Sequence, residues 1–142
     1  MEFSEALPFL QQEHSSIVTT IGAGGLPQST IIRAGPYEGT MVFVIRGDTV
    51  KLRNLQRDPR CTVLTVKLDW RQFATVEGTA EIKGPANMES EALRLLLRGV
   101  FAAAGGTHDN WDEFDRRYGE GGFAIMRLVS VISASRFGCA IL

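Results

Sequence analysis

The segment KLRNLQRDPR, residues 51–60, carries the clearest chemical signal in the sequence. It places Lys51, Arg53, Arg57 and Arg60 within ten positions of a chain whose formal net charge is −1. Cations gathered this closely either bind phosphate and carboxylate groups or pair with acids on a solvated surface. Because the whole chain lacks the basic excess typical of nucleic-acid-binding proteins, the segment predicts a local anion site and no nucleic-acid partner.

The residues around this segment predict a short helix over residues 49–57. Gly47 and Asp48 are suited to a turn and an N-cap, and Pro59 disfavours a helical conformation at Asp58. The helix is therefore expected to begin directly after a strand and to end by Asp58.

Lys51 is the cation of this helix that is expected nearest the core. With Leu52 and Leu55 on the buried face, Lys51 lies about 70° from the centre of that face, at roughly 100° per residue. Lys51 also falls in the first turn, where free N–H groups and the helix dipole favour an anion. We predict that Lys51 binds an anion, and that Arg57 and Arg60 are solvated or ion-paired.

The rest of the chain reads as strands with short helices between them. Six strands are predicted at 16–22, 26–35, 41–46, 61–69, 72–84 and 123–135, with helices after Ser4 and around 49–57, 87–103 and 110–118. The strand at 41–46 is apolar on both faces, and Gly78 predicts a bulge or bend. We expect a mainly β fold, a six-stranded antiparallel split barrel with flanking helices, as one domain over residues 1–142.

Composition and residue types exclude several classes of protein. At 142 residues, 44% of them hydrophobic, the chain is long enough for one globular core. No apolar run approaches the roughly 18 residues of a spanning helix, and the first residues lack a secretion signal, so we expect a cytoplasmic protein. Cys61 and Cys139 are expected to be buried free thiols. No catalytic residue or metal site stands out, and His14 and His108 are expected to be solvated.

Five features occur in order at compatible spacings and carry a family resemblance. They are GLPQST (25–30), the apolar strand 41–46, KLRNLQRDPR (51–60), VEGTA (76–80) and NWDEF (110–114). Together they resemble the flavin- and deazaflavin-dependent oxidoreductases of the pyridoxamine 5'-phosphate oxidase-like split-barrel superfamily, most closely the branch that uses coenzyme F420. FMN-binding relatives carry a similar basic run. Genuine pyridoxamine phosphate oxidases end in an Arg- and Pro-containing substrate segment, whereas this sequence reads SRFGCAIL there, so vitamin B6 oxidation is not expected.

The resemblance implies a homodimer with cofactor sites at the subunit interface. The tricyclic ring would lie along the second and third predicted strands, while Lys51 would hold the phosphate with help from Thr49 and Arg46. The cofactor-binding residues that the resemblance implies are Gln28, Thr30, Arg46, Thr49, Val50, Lys51, Arg53, Asn54, Trp70 and Arg71.

Each group in this set has its own implied role. Gln28 and Thr30 would face the ring, although they are equally compatible with a polar sheet surface. Arg53 and Asn54 would reach the phosphate or the acidic tail of the coenzyme. Trp70 and Arg71 would close the site from the other subunit, unless Trp70 serves only packing.

The expected reaction is hydride transfer between reduced coenzyme F420 and a conjugated small molecule such as a quinone or enone. In such chemistry the cofactor supplies the reactive atom, which agrees with the lack of an evident nucleophile or acid–base pair. An apolar cleft with few convergent polar groups is expected to favour planar acceptors. FMN remains the alternative cofactor, and a non-catalytic binding protein or a barrel without a ligand remain the alternative classes.

Overall fold

The computed structural model describes residues 2–120 and 124–136, which form four helices and seven strands. The helices are α1 (Phe3–Gln12), α2 (Val50–Arg57), α3 (Ser90–Ala103) and α4 (Trp111–Glu120). The strands are β1 (Ser15–Ile21), β2 (Pro27–Arg33), β3 (Gly35–Tyr37), β4 (Thr40–Ile45), β5 (Arg60–Val66), β6 (Phe73–Lys83) and β7 (Ala124–Arg136). The four predicted helices and six predicted strands are confirmed, while Cys139 lies outside the described residues.

The seventh strand, β3, is the one that the sequence did not predict. The sequence predicted strands at 26–35 and 41–46 and none between them, but Gly35 and Tyr37 pair with Val42 and Thr40 of β4, and only the two residues that follow Tyr37 turn. Pro36 has no N–H to donate to a neighbouring strand. It is tolerated here because β3 is an edge strand.

One antiparallel sheet holds all seven strands in the order β2-β1-β5-β6-β7-β4-β3. Val18 of β1 and Phe43 of β4 belong to the same core cluster, although β5, β6 and β7 separate their strands in the sheet. The sheet therefore curls so that its two ends face one interior. Among the described residues the pairing stops at β2 and β3, so the predicted closed or split barrel is not confirmed; the described sheet is open.

Strand β4 is buried on both faces, as its apolar sequence predicted. Met41, Phe43 and Ile45 face the interior, where α1 and α2 also pack, while Val42 contacts the second core cluster, formed with α3 and α4. A strand covered on both sides has no solvated face to carry polar side chains, which explains the continuous apolar run.

The end of α3 packs tightly against the short strand β3. A Cβ atom at Gly35 would lie 1.8 Å from the carbonyl oxygen of Ala103, so a larger residue at this position would push the two elements apart. This close approach places the C-terminal end of α3 beside the open end of the sheet.

The predicted irregularity near Gly78 is present, but the extra residue is in the partner strand. Pairing with β5 runs without interruption through Gly78, whereas the register between β6 and β7 shifts between Val76 and Gly78 and again between Thr79 and Ala80. At each shift β7 contributes the additional residue, which bends this long strand pair.

None of the helices in the described ranges combines the length and the apolar content that crossing a membrane requires.

Candidate functional site

A cavity of about 330 Å³ opens where β2 and β4 approach one another. These strands lie far apart in the strand order, and the curl of the sheet brings them into contact. The cavity is lined by Arg33, Val44, Arg46, Phe101, Ala104, Gly106, Arg117 and Tyr118. Its volume lies within the roughly 300–1,000 Å³ typical of small-molecule sites, and its walls combine apolar surface with three arginines.

Strand β4 supplies one wall of the cavity through the two-residue alternation of its side chains. Val44 at the end of β4 and Arg46 directly after it both line the cavity, whereas the intervening Ile45 belongs to the interior cluster. The buried strand thus ends by directing one apolar and one cationic side chain to the same side.

Arg33, the last residue of β2, connects this wall to α3. Its Nε donates to the carbonyl of Ala104 at 3.2 Å, and Nη2 donates to that of Gly105 at 3.2 Å. These two residues directly follow α3, and a cation beside the C-terminal end of a helix is stabilised by the negative end of the helix dipole. Gly105 has a φ of 79°, a left-handed conformation that glycine adopts readily where a helix such as α3 ends.

The aromatic wall of the cavity comes from α3 and α4. The ring of Phe101 lies 4.9 Å from that of Phe114, which stacks on Tyr118 at 4.3 Å. Phe114 is fully buried, so it anchors α4, while Phe101 and Tyr118 reach the cavity.

Ion pairs hold α4 against α3. The carboxylate of Asp115 accepts from Nε of Arg98 at 2.8 Å and from Nη1 of Arg94 at 3.0 Å. These bonds, chiefly the one from Arg98, lower the pKa of Asp115 below its ordinary value. The same contacts hold the aromatic wall in place.

The first turn of α2 begins one residue later than the sequence predicted. Thr49 and not Asp48 is the N-cap, and its hydroxyl donates to the carbonyl of Arg46 at 3.1 Å instead of capping the helix. Asp48 has a φ of 61° in the preceding turn, and its carboxylate accepts from Arg53 at 3.1 Å. Arg53 is therefore paired with an exposed acid within the protomer, beside the end of β4.

Lys51 lies in this first turn and is half-buried. Within the ranges that the structure describes, no carboxylate pairs with its ammonium group. The N–H groups of the first turn have no intrahelical partner. Lys51 thus combines an uncompensated charge with the positive end of a helix, which is the arrangement predicted for an anion site. Val50, beside it, is exposed.

Asn54 has a different environment from the expected one. Its side chain is only 3% exposed, and Nδ2 donates to Thr20 at 3.1 Å and to Gln28 at 2.7 Å. Arg57, which the sequence predicted to be solvated or ion-paired, donates to the carbonyl of Ile21 at 3.2 Å and to Oδ1 of Asn54 at 3.4 Å. Asn54 therefore links α2 to the sheet and does not point towards solvent.

Strand β2 places Gln28 and Thr30 on one face. Gln28 pairs in register with Thr20 and Thr30 with Val18, and both side chains are half-buried on the interior side of the sheet. Ile31 points the opposite way and is 85% exposed. Neither polar residue lines the cavity; Gln28 instead borders α2.

Trp70 and Arg71 occupy the β5–β6 hairpin and do not line the cavity. Trp70 is 73% exposed and has a φ of 65°, a conformation that bulky residues rarely adopt. The hairpin is closed by Lys67, which donates its N–H to Gln72 at 2.9 Å. The prediction that these residues complete the site of a second subunit stays a prediction.

Of the ten residues predicted to bind cofactor, Arg46 is the one that lines this cavity. The sequence analysis did not identify four other lining residues, Arg33, Phe101, Arg117 and Tyr118. It also predicted a cleft with few convergent polar groups, whereas three arginines line this cavity. The sequence carried one signal for the arginines of the strands: Arg33 ends β2, and Arg46 directly follows β4. The contributions of α3 and α4 had no such signal.

Cys61 is buried, as predicted. Burial raises the pKa of its thiol to about 12, which makes it unreactive at neutral pH.

Comparison with known proteins places this architecture in a family. The model of the pyridoxamine 5'-phosphate oxidase family matches residues 4–124. The chain belongs to the pyridoxamine 5'-phosphate oxidase family. This membership confirms the resemblance to the pyridoxamine 5'-phosphate oxidase-like superfamily that the sequence motifs indicated.

Solved structures share the fold at low sequence identity. The conserved hypothetical protein Rv2991 from Mycobacterium tuberculosis has a TM-score of 0.75 at 22% identity, covering 99% of this chain and 86% of that one. An F420 reductase has a TM-score of 0.67 at 18% identity, with 95% and 98% covered. A heme binding protein from Mycobacterium smegmatis has a TM-score of 0.68 at 17% identity, with 96% and 53% covered.

Proposed function

We propose that this protein is an oxidoreductase that binds coenzyme F420 between β2 and β4 and transfers hydride between the reduced coenzyme and a conjugated small molecule. The observation that carries the proposal is the cavity with Arg46 in its wall, followed five residues later by Lys51 in the first turn of α2. Family membership and the shared fold of an F420 reductase support the same class.

The donor set fits the chemical groups of such a cofactor. Lys51 and Arg46 supply positive charge for a phosphate, and Arg53 lies one turn from the same helix end for an acidic tail. Val44, Phe101 and Tyr118 supply the apolar and aromatic surface that a tricyclic ring needs. FMN carries the same combination of ring and phosphate, so it is the alternative cofactor on this site.

The bound coenzyme would supply the hydride-carrying ring atom, and the protein would supply binding and orientation. Lys51 and Arg46 neutralise the phosphate, and the aromatic wall on α3 and α4 keeps water from one side of the cavity. A homodimer in which Trp70 and Arg71 of the second subunit cover the open side is part of the proposal.

Parallel titration with F420 and FMN tests the proposal, followed by turnover of the reduced cofactor with a quinone or enone. Micromolar or tighter F420 binding with turnover is the expected result. Preference for FMN, giving a yellow and oxygen-reactive protein, assigns the flavin alternative. Binding without turnover on any conjugated acceptor assigns a non-catalytic binding protein, and binding of neither cofactor contradicts the proposal.

A further inference from the structure

We infer that Arg33 and Arg117 make the cavity a binding site for an anionic acceptor, a planar quinone or enone that carries a carboxylate group. The inference rests on the proposed function, because it names the class of molecule that the reduced coenzyme would reduce. It adds a charge requirement to the planar acceptors that the sequence suggested.

The cavity is lined by charge of one sign. Arg33, Arg46 and Arg117 contribute to its walls, and none of the described residues that line it is acidic. Within the part of the chain that the structure describes, no carboxylate pairs with Arg33 or Arg117. Because a cleft that carries charges of one sign concentrates ions of the opposite sign, this cavity favours a ligand with negative charge.

The arginines that join α3 to α4 are, by contrast, neutralised within the protein. Asp115 of α4 accepts hydrogen bonds from Arg94 at 3.0 Å and from Arg98 at 2.8 Å, both on α3. Arg117 follows Asp115 by two residues, so at roughly 100° per residue it lies on the other side of α4. Its exposed guanidinium takes no part in these ion pairs, and its charge can be neutralised by a ligand.

Arg33 offers one edge of its guanidinium group to such a ligand. Nε and Nη2 lie on one edge, and each donates at 3.2 Å to a carbonyl that follows α3, those of Ala104 and Gly105. Of the five N–H bonds of the group, the two on Nη1 and one on Nη2 are not used by these carbonyls. Nη1 and Nη2 form the planar fork that binds a carboxylate through two parallel hydrogen bonds. The carbonyl bonds hold the group in one orientation, which lowers the entropy lost on binding.

The two arginines lie on other elements than the groups proposed to bind the coenzyme phosphate. Arg46 follows β4 and precedes Lys51, in the first turn of α2, by five residues. Arg33 contacts the residues after α3, and Arg117 belongs to α4. With the phosphate held by Arg46 and Lys51, the charges of Arg33 and Arg117 remain for a second anion.

An acceptor held in this way would be reduced by hydride transfer. Its carboxylate contacts the arginines, while its conjugated part lies against the coenzyme ring and the apolar lining of Val44 and Phe101. The β-carbon of an enone gains a hydride with its two electrons, water supplies the proton that completes the α-carbon, and the reduced coenzyme becomes oxidised.

Binding of cinnamate and of its neutral amide, cinnamamide, tests the charge requirement on the full-length protein with oxidised F420 or FMN bound. Isothermal titration should give cinnamate a Kd about tenfold lower than that of cinnamamide, because the carboxylate adds a charge-assisted interaction. Arg117→Gln should reduce that difference to less than about threefold. Arg116→Gln is the matched control and should leave the difference unchanged, since Arg116 is an exposed cation on the same helix that does not line the cavity.

Turnover of a naphthoquinone carboxylate and of its methyl ester gives a second measurement, in which each acceptor is compared with itself between variants. Arg117→Gln should lower kcat/KM for the carboxylate about five- to tenfold, chiefly by raising KM, because binding of the substrate is what is lost. The value for the ester should change less than about twofold. Arg116→Gln should alter neither acceptor.

The outcomes separate this inference from the proposed function. Equal affinities for cinnamate and cinnamamide on the cofactor-bound protein overturn the inference alone. Equal effects of Arg117→Gln and Arg116→Gln also overturn it, because they would reflect only overall charge. If Arg117→Gln weakens binding of F420 but not of FMN, which lacks the acidic tail, the cavity arginines hold that tail and the inference is wrong. Failure of the unmodified protein to bind either cofactor overturns the proposed function and the inference together.

Discussion

Arg98 and Asp115 join α3 to α4 through a hydrogen bond of 2.8 Å from Nε to Oδ1. A second bond from Arg94 reaches the same carboxylate, whose side chain is 17% exposed. These contacts hold the helix that carries Tyr118, so the aromatic wall of the candidate site depends on them.

Replacing this carboxylate tests the link between the helices. We expect Asp115→Asn to lower the Tm by roughly 2–6 °C at pH 6, because the charge-assisted bonds from both arginines are weakened. Asp112→Asn is the matched control, since that carboxylate is fully exposed and lies 3.9 Å from Arg98. Equal Tm values for Asp115→Asn and the unmodified protein would show that α4 is held by its aromatic contacts alone.

The same pair predicts the pH dependence of stability. The pKa of Asp115 is lowered in the folded protein from its ordinary value of 3.8, first by the bond from Arg98. The ionised carboxylate of Asp115 therefore adds to the free energy of unfolding above about pH 3.8, and this stabilisation is lost as the pH falls through the folded-state pKa. The difference in Tm between the unmodified protein and Asp115→Asn should be constant from pH 5 to 7 and should shrink below pH 4. A difference that grows on acidification contradicts the assignment.

Lys51→Ala should weaken cofactor binding about tenfold to a hundredfold, because one charge-assisted hydrogen bond to phosphate is lost. The stability of the cofactor-free protein should hardly change, since Lys51 has no acidic partner in the described ranges. Isothermal titration and a thermal melt measure the two effects.

Arg57→Ala does not serve as the control for Lys51, because Arg57 bonds to β1 and Asn54. Arg60→Ala is suitable, since Arg60 lies beyond the far end of α2 and its exposed guanidinium pairs with Asp58 at 2.7 Å. That variant should bind cofactor normally in 0.15 M salt. Equal losses for Lys51→Ala and Arg60→Ala would mean that only overall charge matters.

Val44→Phe tests whether the cavity holds the ring. The larger side chain would extend into the cavity from β4, so we expect at least a tenfold loss of cofactor affinity with a retained folded state. Leu95→Phe adds similar bulk on the exposed side of α3 and should leave affinity unchanged. Circular dichroism confirms folding, and unaltered affinity for Val44→Phe would place the ring elsewhere.

Assembly is tested through the exposed apolar side chains of strand β2 and of the hairpin turns. Leu26, Ile31, Leu68 and Trp70 are each more than 70% exposed, which is costly unless another surface covers them. We expect a homodimer by light scattering at micromolar concentration and dissociation by Ile31→Lys. Leu95→Lys on α3 is the control, and a monomeric unmodified protein would contradict the shared-site arrangement.

The sequence by itself determined the elements and the position of the basic helix. Apolar alternation defined six strands, the double-sided apolar run defined the buried strand β4, and Pro59 ended α2 before Asp58. These features follow from local sterics and side-chain periodicity, which a single sequence carries. For the same reason Lys51 could be assigned to the first turn before the fold was known.

Only the tertiary structure decided which residues converge. The curl of the sheet brings β2 to β4, and the packing of α3 on Gly35 adds Phe101 to the same cavity. The burial of Asn54 and its bond to Gln28 depend on how α2 docks against the sheet. The bond between Asn54 and Gln28 joins residues 26 positions apart. The geometry of such contacts is fixed by packing in three dimensions, which local periodicity does not encode.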